Sequence, residues 1–178
     1  MKSLWGMMIT LMRSRTDQTL IRQYLQGDTE ALGELYDRYA DKLYGLMYNI
    51  LQNHESTQEC LQRFFFNLMR RAQTVLSANN IKHYLLTSAR NTVFSYLREE
   101  KIRKHSDLSP VLADPTKQSD SIFLEEALSS LPREQREVVY LKITEGLSFR
   151  EIGQTLGIPH KTAASRYEYG IKKLKRTW

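Results

Sequence analysis

An all-α fold of two small helical domains joined by a flexible linker is predicted from three features of the 178-residue sequence. Apolar residues recur at helical spacing over most of the chain, and no segment alternates for long between apolar and polar residues. The stretch between Gly45 and Gly146 contains no glycine, and all four prolines lie between residues 110 and 159. Strong helix breakers are therefore rare in the first half of the chain.

The predicted domain boundaries follow these changes in composition. An N-terminal extension covers residues 1–16, a first helical domain 17–104, a linker 105–120 and a second helical domain 121–178. The linker is assigned because residues 105–120 lose the helical periodicity and gain proline, serine and aspartate. Helical periodicity resumes at Ile122.

Four helices are predicted in the first domain. A short helix over 19–25 precedes a long one that begins after Asp28, a residue type suited to cap a helix N-terminus. The apolar stripe of the long helix comprises Ala31, Leu32, Leu35, Tyr36, Tyr39, Leu43, Leu46, Met47 and Ile50. The apolar stripe of the third helix comprises Cys60, Leu61, Phe64, Phe65, Leu68 and Ala72. After a turn over 77–80, the fourth comprises Ile81, Tyr84, Leu85, Ser88, Ala89, Thr92, Val93, Tyr96 and Leu97.

The third helix raises two further expectations. Cys60 is the only cysteine, which excludes an intramolecular disulfide and a cysteine-rich zinc site, so we interpret it as a small buried hydrophobe. The consecutive Phe64, Phe65 and Phe66 cannot all face the interior from one helix. One of the three rings is therefore expected at the surface.

The net charge of +6 is unevenly distributed along the chain. Residues 1–80 carry +1, residues 81–104 carry +4, residues 105–131 carry −4 and residues 132–178 carry +5. Two basic segments on separate helical domains favour a nucleic-acid partner, because phosphates attract clustered lysine and arginine side chains. Solvated helix faces are the alternative explanation for such segments.

Composition and motifs exclude several other classes. Charged residues make up 26% and hydrophobic residues 41%, which is typical of a folded soluble protein. No run approaches eighteen apolar residues, and the first residues lack the long apolar core and cleavage site of a secretory signal. We therefore expect a cytoplasmic protein without a membrane span. No nucleotide-binding loop, Ser-His-Asp set or metal-ligand spacing is found, so we expect no catalytic residue, no metal and no cofactor.

The sharpest local pattern is a helix-turn-helix in the second domain. Pro132 fits the first position of a helix that Gly146 ends. Ser148 and Glu151 have the spacing of a capping box, and Gly157 suits the left-handed end of the short helix that they begin. A basic helix starts about three residues later. Two helices joined by a tight glycine-containing turn, the second one basic, are typical of DNA-binding modules.

The last helix is predicted to have one buried face and one exposed face. Its buried residues, which fall within about 60° at 100° per residue, are Ala163, Tyr167, Gly170 and Leu174. The opposite face and its flanks carry Lys161, Thr162, Ser165, Arg166, Glu168, Tyr169, Lys172 and Arg176. Hydroxyl and guanidinium groups near the N-terminal end can reach base edges, and lysines farther along suit phosphates. A protein-binding adaptor with a solvated basic face is the alternative.

These segments resemble region 4 of extracytoplasmic-function (ECF) sigma factors, which usually reads LPxxxRxxxxLxxxxGLSxxEIAxxLGxxxGTVxSR. The matching segments are LPREQREVV (131–139), EGLSFREIGQTLGIP (145–159) and KTAASR (161–166). The first domain resembles region 2 of the same family in GDTEAL (27–32), LYDRY (35–39), YL (84–85), ARN (89–91) and YLR (96–98). The resemblance covers residues 17–176.

The resemblance implies a dissociable, non-enzymatic subunit that binds core RNA polymerase, directs it to promoters and has an anti-sigma factor as a further partner. In that family, region 4 reads the −35 element of duplex DNA through the second helix of its helix-turn-helix. The residues carried over by position are Lys161, Thr162, Ser165, Arg166 and Tyr169, and the exposed-face argument adds Lys172.

Region 2 of the family captures and melts the −10 element. The resemblance places Asn91 beside a flipped base of the single-stranded −10 element, Tyr84 at the position of the usual Trp, and the loop 73–80 around the base pocket. The residues implied to hold phosphates are Lys82, Arg90, Arg98, Lys101 and Arg103. An unstacked base needs aromatic or amide partners in a basic environment, which agrees with this set.

The polymerase-binding helix of the family usually reads AEDLVQEVF, and this chain has TQECLQRFF (57–65). The predicted core-binding residues are Glu59, Gln62, Phe65 and Leu68. Departures from the family pattern, which change the expected contacts, are Gln58, Arg63, Ser95, Ala164 and Tyr169.

Two other functions explain part of the pattern. A stand-alone regulator with a LuxR-type helix-turn-helix would bind duplex DNA as a dimer without polymerase, but it leaves the basic segment 81–104 unexplained. A DNA- or RNA-processing enzyme would need a catalytic constellation that the sequence does not show.

Overall fold

The computed structural model describes residues 15–106 and 127–177, which form helices joined by short turns. The helices of these residues are α1 (Asp17–Leu25), α2 (Thr29–Leu51), α3 (His54–Arg70), α4 (Ala72–Leu76), α5 (Ile81–Ser106), α6 (Arg133–Ile143), α7 (Phe149–Leu156) and α8 (His160–Thr177). Residues 127–129 are also helical. The all-α prediction is confirmed for this part of the chain. The extension up to residue 14, the linker from residue 107 and the predicted helical start at Ile122 lie outside the described residues.

The first unit, α1 to α5, is built around the long helix α2, which packs against α1, α3 and α5. Leu43, Leu46 and Met47 from its predicted stripe are completely buried. Tyr36 was placed in the same stripe, but it is 45% exposed. Its ring covers that of Phe65 at a centroid distance of 4.6 Å and leaves its other side to solvent.

Local hydrogen bonds explain where these helices begin and end. The Asp28 carboxylate accepts from the Glu30 backbone N–H at 3.0 Å, which confirms the predicted cap of α2. Helix α2 ends at Gln52, whose φ of 52° lies in the left-handed region. Asn53 then caps α3 by accepting from the Ser56 N–H at 2.8 Å.

Helix α1 is held to α2 by polar contacts. The Asp17 carboxylate accepts from Arg38 at 2.6 Å and from the Tyr39 hydroxyl at 2.5 Å. Arg15, which falls within the predicted extension, reaches Glu34 at 3.2 Å. The described part of the first unit therefore includes residue 15, which the sequence assigned to the extension.

The interior of α3 agrees with two sequence expectations. Cys60 is fully buried, and this burial raises the pKa of its thiol to about 12. Phe64 and Phe65 are buried, whereas Phe66 is 56% exposed. The interpretation of Cys60 as a buried hydrophobe and the expectation of one surface phenylalanine are both confirmed.

The second unit packs α6, α7 and α8 around a small core. Val138, Val139 and Leu141 of α6 are completely buried, as predicted. Pro132 precedes the first helical residue of α6, one position earlier than predicted. A Cβ atom on Gly170 of α8 would lie 2.8 Å from the Val139 Cγ2 atom. The missing side chain therefore allows α8 to approach α6 closely, as the sequence indicated.

The two units lie against each other, with α2 contacting α6 and α5 contacting α7. Their buried apolar side chains form one continuous cluster. Within residues 15–106 and 127–177, no helix is long and apolar enough to cross a membrane, and no three metal-ligating side chains are grouped to hold an ion.

Candidate nucleic-acid interface

The helix-turn-helix is formed by α7, a tight turn and α8. The Ser148 hydroxyl accepts from the Glu151 backbone N–H at 3.3 Å, and the Glu151 carboxylate accepts from the Ser148 N–H at 2.8 Å. Both halves of the predicted capping box are therefore present. Gly157 ends α7 with a φ of 68°, a conformation that favours glycine. These contacts confirm the predicted limits of the short helix.

Ser148→Ala is expected to lower the free energy of unfolding of the second unit by about 1 kcal/mol near pH 7. Hydrogen bonds from Ser148 lower the pKa of Glu151, so their stabilisation is present above the unfolded carboxyl pKa of about 4.3 and is lost at more acidic pH. The difference in free energy of unfolding between wild type and Ser148→Ala should therefore become smaller as the pH falls below about 4. Urea titrations at several pH values would measure it.

Ser165→Ala is the matched control for this experiment, because the Ser165 hydroxyl donates within its own helix to the Lys161 carbonyl oxygen and caps nothing. Its effect on stability should be small at every pH. If the free energies of unfolding of wild type and Ser148→Ala differ by the same amount from neutral to acidic pH, the predicted role of the Glu151 carboxylate is contradicted.

Helix α8 exposes a polar face to solvent. Ala163 is fully buried, which fixes the orientation of the helix as predicted. Four of the predicted −35 residues are exposed: Lys161, Ser165, Tyr169 and Lys172. The other two, Thr162 and Arg166, are half-buried on the flank. The structure therefore brings the whole predicted set to one side of α8, where it can enter a DNA groove.

Arg166 has a protein partner on the neighbouring helix. Its guanidinium lies 2.5 Å from the Glu134 carboxylate of α6, and the Arg166 side chain is 27% exposed. The ion pair orients the guanidinium, but the planar fork must exchange this carboxylate for a base or a phosphate when DNA binds.

The predicted −10 residues on α5 do not share one face. At 100° per residue, Tyr84, Asn91 and Arg98 fall within about 40° of one another. Lys82 and Arg90 lie on a different side of the helix, where they contact the second unit. The structure therefore divides the set into a group that faces solvent and a pair that faces α6 and the turn after it.

The basic side chains of α5 differ in their partners. Arg98 donates to the Phe94 carbonyl oxygen of its own helix at 3.3 Å. Arg103 pairs with Glu100 at 3.1 Å, and Lys101 is exposed. These contacts make residues 98–103 of α5 a largely exposed surface of mixed charge.

An open cleft of about 610 Å³ lies between α3 and α5. Tyr84 and Asn91 line it together with the exposed Phe66 and Arg71. The Arg70 guanidinium lies 5.8 Å from the centre of the Phe66 ring. The cleft thus combines aromatic rings, an amide and guanidinium groups, which are the side chains that bind an unstacked base.

Residues 73–80 differ from the loop that the sequence predicted. Helix α4 continues to Leu76, because Ala72 and Val75 bury their side chains and anchor this turn against α1. None of residues 73–80 lines the cleft between α3 and α5.

The predicted core-binding residues divide between surface and interior. Gln62 is exposed and Glu59 is half-buried, whereas Phe65 and Leu68 are buried. Only Gln62 and Glu59 can contact a partner protein directly. Phe65 and Leu68 instead pack in the core and hold α3 in position. Arg63 lies 2.8 Å from Glu59 and 2.7 Å from Glu99, so it neutralises the acidic group on this surface.

Sequence reasoning missed the residues that join the two units. The Tyr140 hydroxyl donates to the Lys42 carbonyl oxygen at 3.1 Å, and a Cβ atom on Gly45 would overlap this hydroxyl. Glu137 and Glu145 are buried at the same junction. The available signal was a glycine inside a helical pattern, which often marks a close approach.

The fold agrees with comparisons to known proteins. The family described as sigma-70 region 2 matches residues 35–102, and that described as sigma-70, region 4 matches residues 124–174. The chain is 25% identical over 174 residues to the ECF RNA polymerase sigma factor SigW of Bacillus subtilis, covering 88% of this chain and 93% of that protein. It is 26% identical over 162 residues to the RNA polymerase sigma factor CarQ of Myxococcus xanthus, covering 87% and 93%.

Solved structures that share the fold include two sigma-factor complexes. The sigma factor RpoE in complex with the anti-sigma factor NepR from Bartonella quintana superposes with a TM-score of 0.68 at 17% identity, covering 81% of this chain and 94% of that one. CnrH in complex with the cytosolic domain of CnrY gives a TM-score of 0.64 at 18% identity, covering 90% and 96%. With both sigma-70 regions matched and relatives aligned over most of their length, the chain belongs to the ECF subfamily of sigma-70 RNA polymerase sigma factors.

Proposed function

We propose that this sigma factor binds core RNA polymerase, reads a −35 element with α8 and opens the −10 element at the cleft between α3 and α5. One observation carries the assignment of the second site. Tyr84 and Asn91, which the family resemblance links to the −10 element, line the same open cleft as the exposed Phe66 and Arg71.

At the −35 element, α8 would lie in the major groove with its exposed face towards the bases. Ser165 and Arg166 lie in the first half of the helix and would contact base edges, while Lys161 and Lys172 would contact phosphates on either side. Tyr169 stands where the family commonly has arginine, so we expect a −35 sequence that an apolar ring with a hydroxyl can read.

At the −10 element, the cleft would bind a base that has left the duplex. Stacking on an aromatic ring contributes about 1–3 kcal/mol per base, which offsets part of the free energy lost on unpairing. Asn91 would hydrogen-bond the edge of the flipped base, and Arg71 would neutralise a nearby phosphate. Opening would then follow from binding alone, with no catalytic step by the chain.

The exposed side of α3 around Glu59 and Gln62 would dock on core polymerase. Arg63 neutralises part of this surface, so we expect weaker electrostatic attraction than an acidic residue at this position would give. An anti-sigma factor is the second protein partner that we propose, since the similar fold of the sigma factor RpoE was solved with one bound. We also propose that the protein acts in the cytoplasm, where promoter DNA is located.

The test is transcription in vitro with purified core RNA polymerase and fragmented genomic DNA. We expect promoter-specific transcripts that depend on the added protein, together with a stable complex with the core enzyme in gel filtration. Absence of both would refute the proposal. Dimeric binding to duplex DNA without polymerase would indicate a stand-alone regulator instead.

Asn91→Ala is expected to reduce promoter opening about tenfold while leaving duplex binding nearly unchanged, because the amide meets a base only after it has flipped. Permanganate reactivity of unpaired thymines would measure opening, and fluorescence anisotropy at low temperature would measure duplex binding. Gln26→Ala is the control, since Gln26 is exposed at the end of α1 and lies outside the cleft. Equal losses in both assays for Asn91→Ala would count against the assigned role.

A further inference from the structure

Helix α8 carries one acidic side chain, Glu168, on its exposed face. The described part of the second unit contains five glutamates and no aspartate. Four of these glutamates have a protein partner, through an ion pair for Glu134, Glu137 and Glu145 and through the capping box for Glu151. Glu168 is exposed, and no cation in the described part of the chain pairs with its carboxylate. Among the described acidic groups of the second unit, it is therefore the one that the fold does not use.

Glu168 shares its side of α8 with residues proposed to contact the −35 element. At 100° per residue, it lies about 60° from Ser165 and about 40° from Lys172, and all three side chains are exposed. Ala163 and Gly170 fix this orientation, because both are buried on the opposite side of the helix. A helix placed in a DNA groove through Ser165 therefore brings the Glu168 carboxylate to the DNA as well.

The charges around Glu168 would allow a simple surface ion pair. Lys172 is four residues further on, which is the spacing at which a glutamate and a lysine pair on a helix. The structure does not form that pair, and four residues before Glu168 stands Ala164, which has no charge to offer. The carboxylate can therefore accept hydrogen bonds from DNA, while the exposed Lys161 and Lys172 offset its repulsion from phosphates.

The major-groove edges of the four bases differ in what they offer a carboxylate, which only accepts hydrogen bonds. Guanine presents the acceptors N7 and O6, and thymine presents the acceptor O4 and a methyl group. Adenine presents its N6 amino donor beside the acceptor N7, so a carboxylate oxygen would meet an acceptor there. Cytosine presents its N4 amino donor with no acceptor on the same edge of its own ring. An unpaired glutamate on a recognition helix therefore favours cytosine.

We propose that Glu168 is a specificity-determining residue, which selects one cytosine of the −35 element by accepting a hydrogen bond from its N4 amino group. The inference rests on the proposed role of α8 at the −35 element. The carboxylate lowers the affinity for DNA in general, because it repels phosphates, and it favours binding only where a cytosine lies opposite.

Base substitution at each position of the −35 element tests the proposal. The element is first selected from random duplexes by holoenzyme that contains the full-length protein, and each base pair is then replaced in turn by the other three. With wild type, fluorescence anisotropy should show one position where cytosine gives about tenfold tighter binding than the other bases. Glu168→Gln should prefer adenine at that position, because an amide can pair with both N6 and N7 of adenine. Glu168→Ala should show no preference there.

Glu30→Gln is the matched control, because Glu30 is exposed on α2 of the first unit and the change removes the same charge. It should keep the wild-type base preference at every position. Glutamate, glutamine and alanine are all good helix formers, so thermal unfolding of wild type, Glu168→Gln and Glu168→Ala should agree. Base preferences at the other positions of the element should also be unchanged.

The outcomes separate this inference from the proposed function. An unchanged base preference in Glu168→Gln, or tighter binding of every sequence by the same factor, would overturn the selection of cytosine while the function stands. A change at a position that carries another base, or at several positions together, would overturn it as well. Failure of the wild-type holoenzyme to select any −35 sequence would refute the proposed function itself.

Discussion

Arg166→Ala is expected to weaken binding of the −35 element about 10-fold to 100-fold, which corresponds to the loss of one base-reading side chain. Arg166 lies on the flank of α8, and its guanidinium is already ordered by Glu134. The guanidinium exchanges Glu134 for a guanine edge or a phosphate, so the measured loss is that of the DNA contact less the ion pair that it replaces. Anisotropy with a duplex selected from random sequences by the holoenzyme would measure the change.

Salt dependence distinguishes the two possible contacts of Arg166. If it reads a base, discrimination against altered −35 sequences should fall with affinity, and the dependence on salt should hardly change. If it binds a phosphate, affinity should fall for all sequences and the salt slope should drop by about one. Arg22→Ala removes the same charge from an exposed position on α1 and serves as the control. An affinity equal to that of Arg22→Ala would contradict the assignment.

Gly170→Leu is expected to destabilise the second unit by about 1–3 kcal/mol, because even the first carbon of a side chain would meet Val139 Cγ2 at 2.8 Å. Moving α8 away from α6 also tilts the proposed recognition helix, so −35 binding should fall with stability. Thermal unfolding and anisotropy on the same samples would measure both effects.

Two further variants make the Gly170 prediction specific. Gly33→Leu changes a glycine of α2 that has open space around it, and it should not lower stability, because leucine favours helix formation more than glycine does. Val139→Ala opens room opposite Gly170, so the double variant should recover part of the stability lost in Gly170→Leu. Simple addition of the two single losses would contradict the proposed close approach.

The helix-turn-helix could be predicted because its signals lie within a few residues of one another. Ser148 and Glu151 satisfy each other's backbone groups, and Gly157 adopts the left-handed conformation that its neighbours do not favour. The Asp28 carboxylate likewise accepts from the backbone N–H groups of Glu30 and Ala31 in the first turn of its helix. Such contacts depend on local chain geometry, so the sequence pattern is sufficient to find them.

The contact between the units could not be predicted in the same way. Arg90 and Glu137 are 47 residues apart, and Lys82 is 63 residues from Glu145. From the sequence, Lys82 and Arg90 are expected to hold phosphates, and only the packing of the two units brings them to the two glutamates. Tyr36 and the turn before Ser77 show the same limit on a smaller scale. Tyr36 stays exposed beside Phe65, and the turn is anchored by its packing on α1.

Cys60 gives the chain an internal reporter of unfolding. It is the sole thiol, it is fully buried in the first unit, and burial raises its pKa to about 12. Alkylating reagents attack the thiolate, so modification at neutral pH must wait until the helices around α3 separate. The rate of labelling would therefore report the opening of the first unit alone, and mass spectrometry could follow it with promoter DNA or polymerase present.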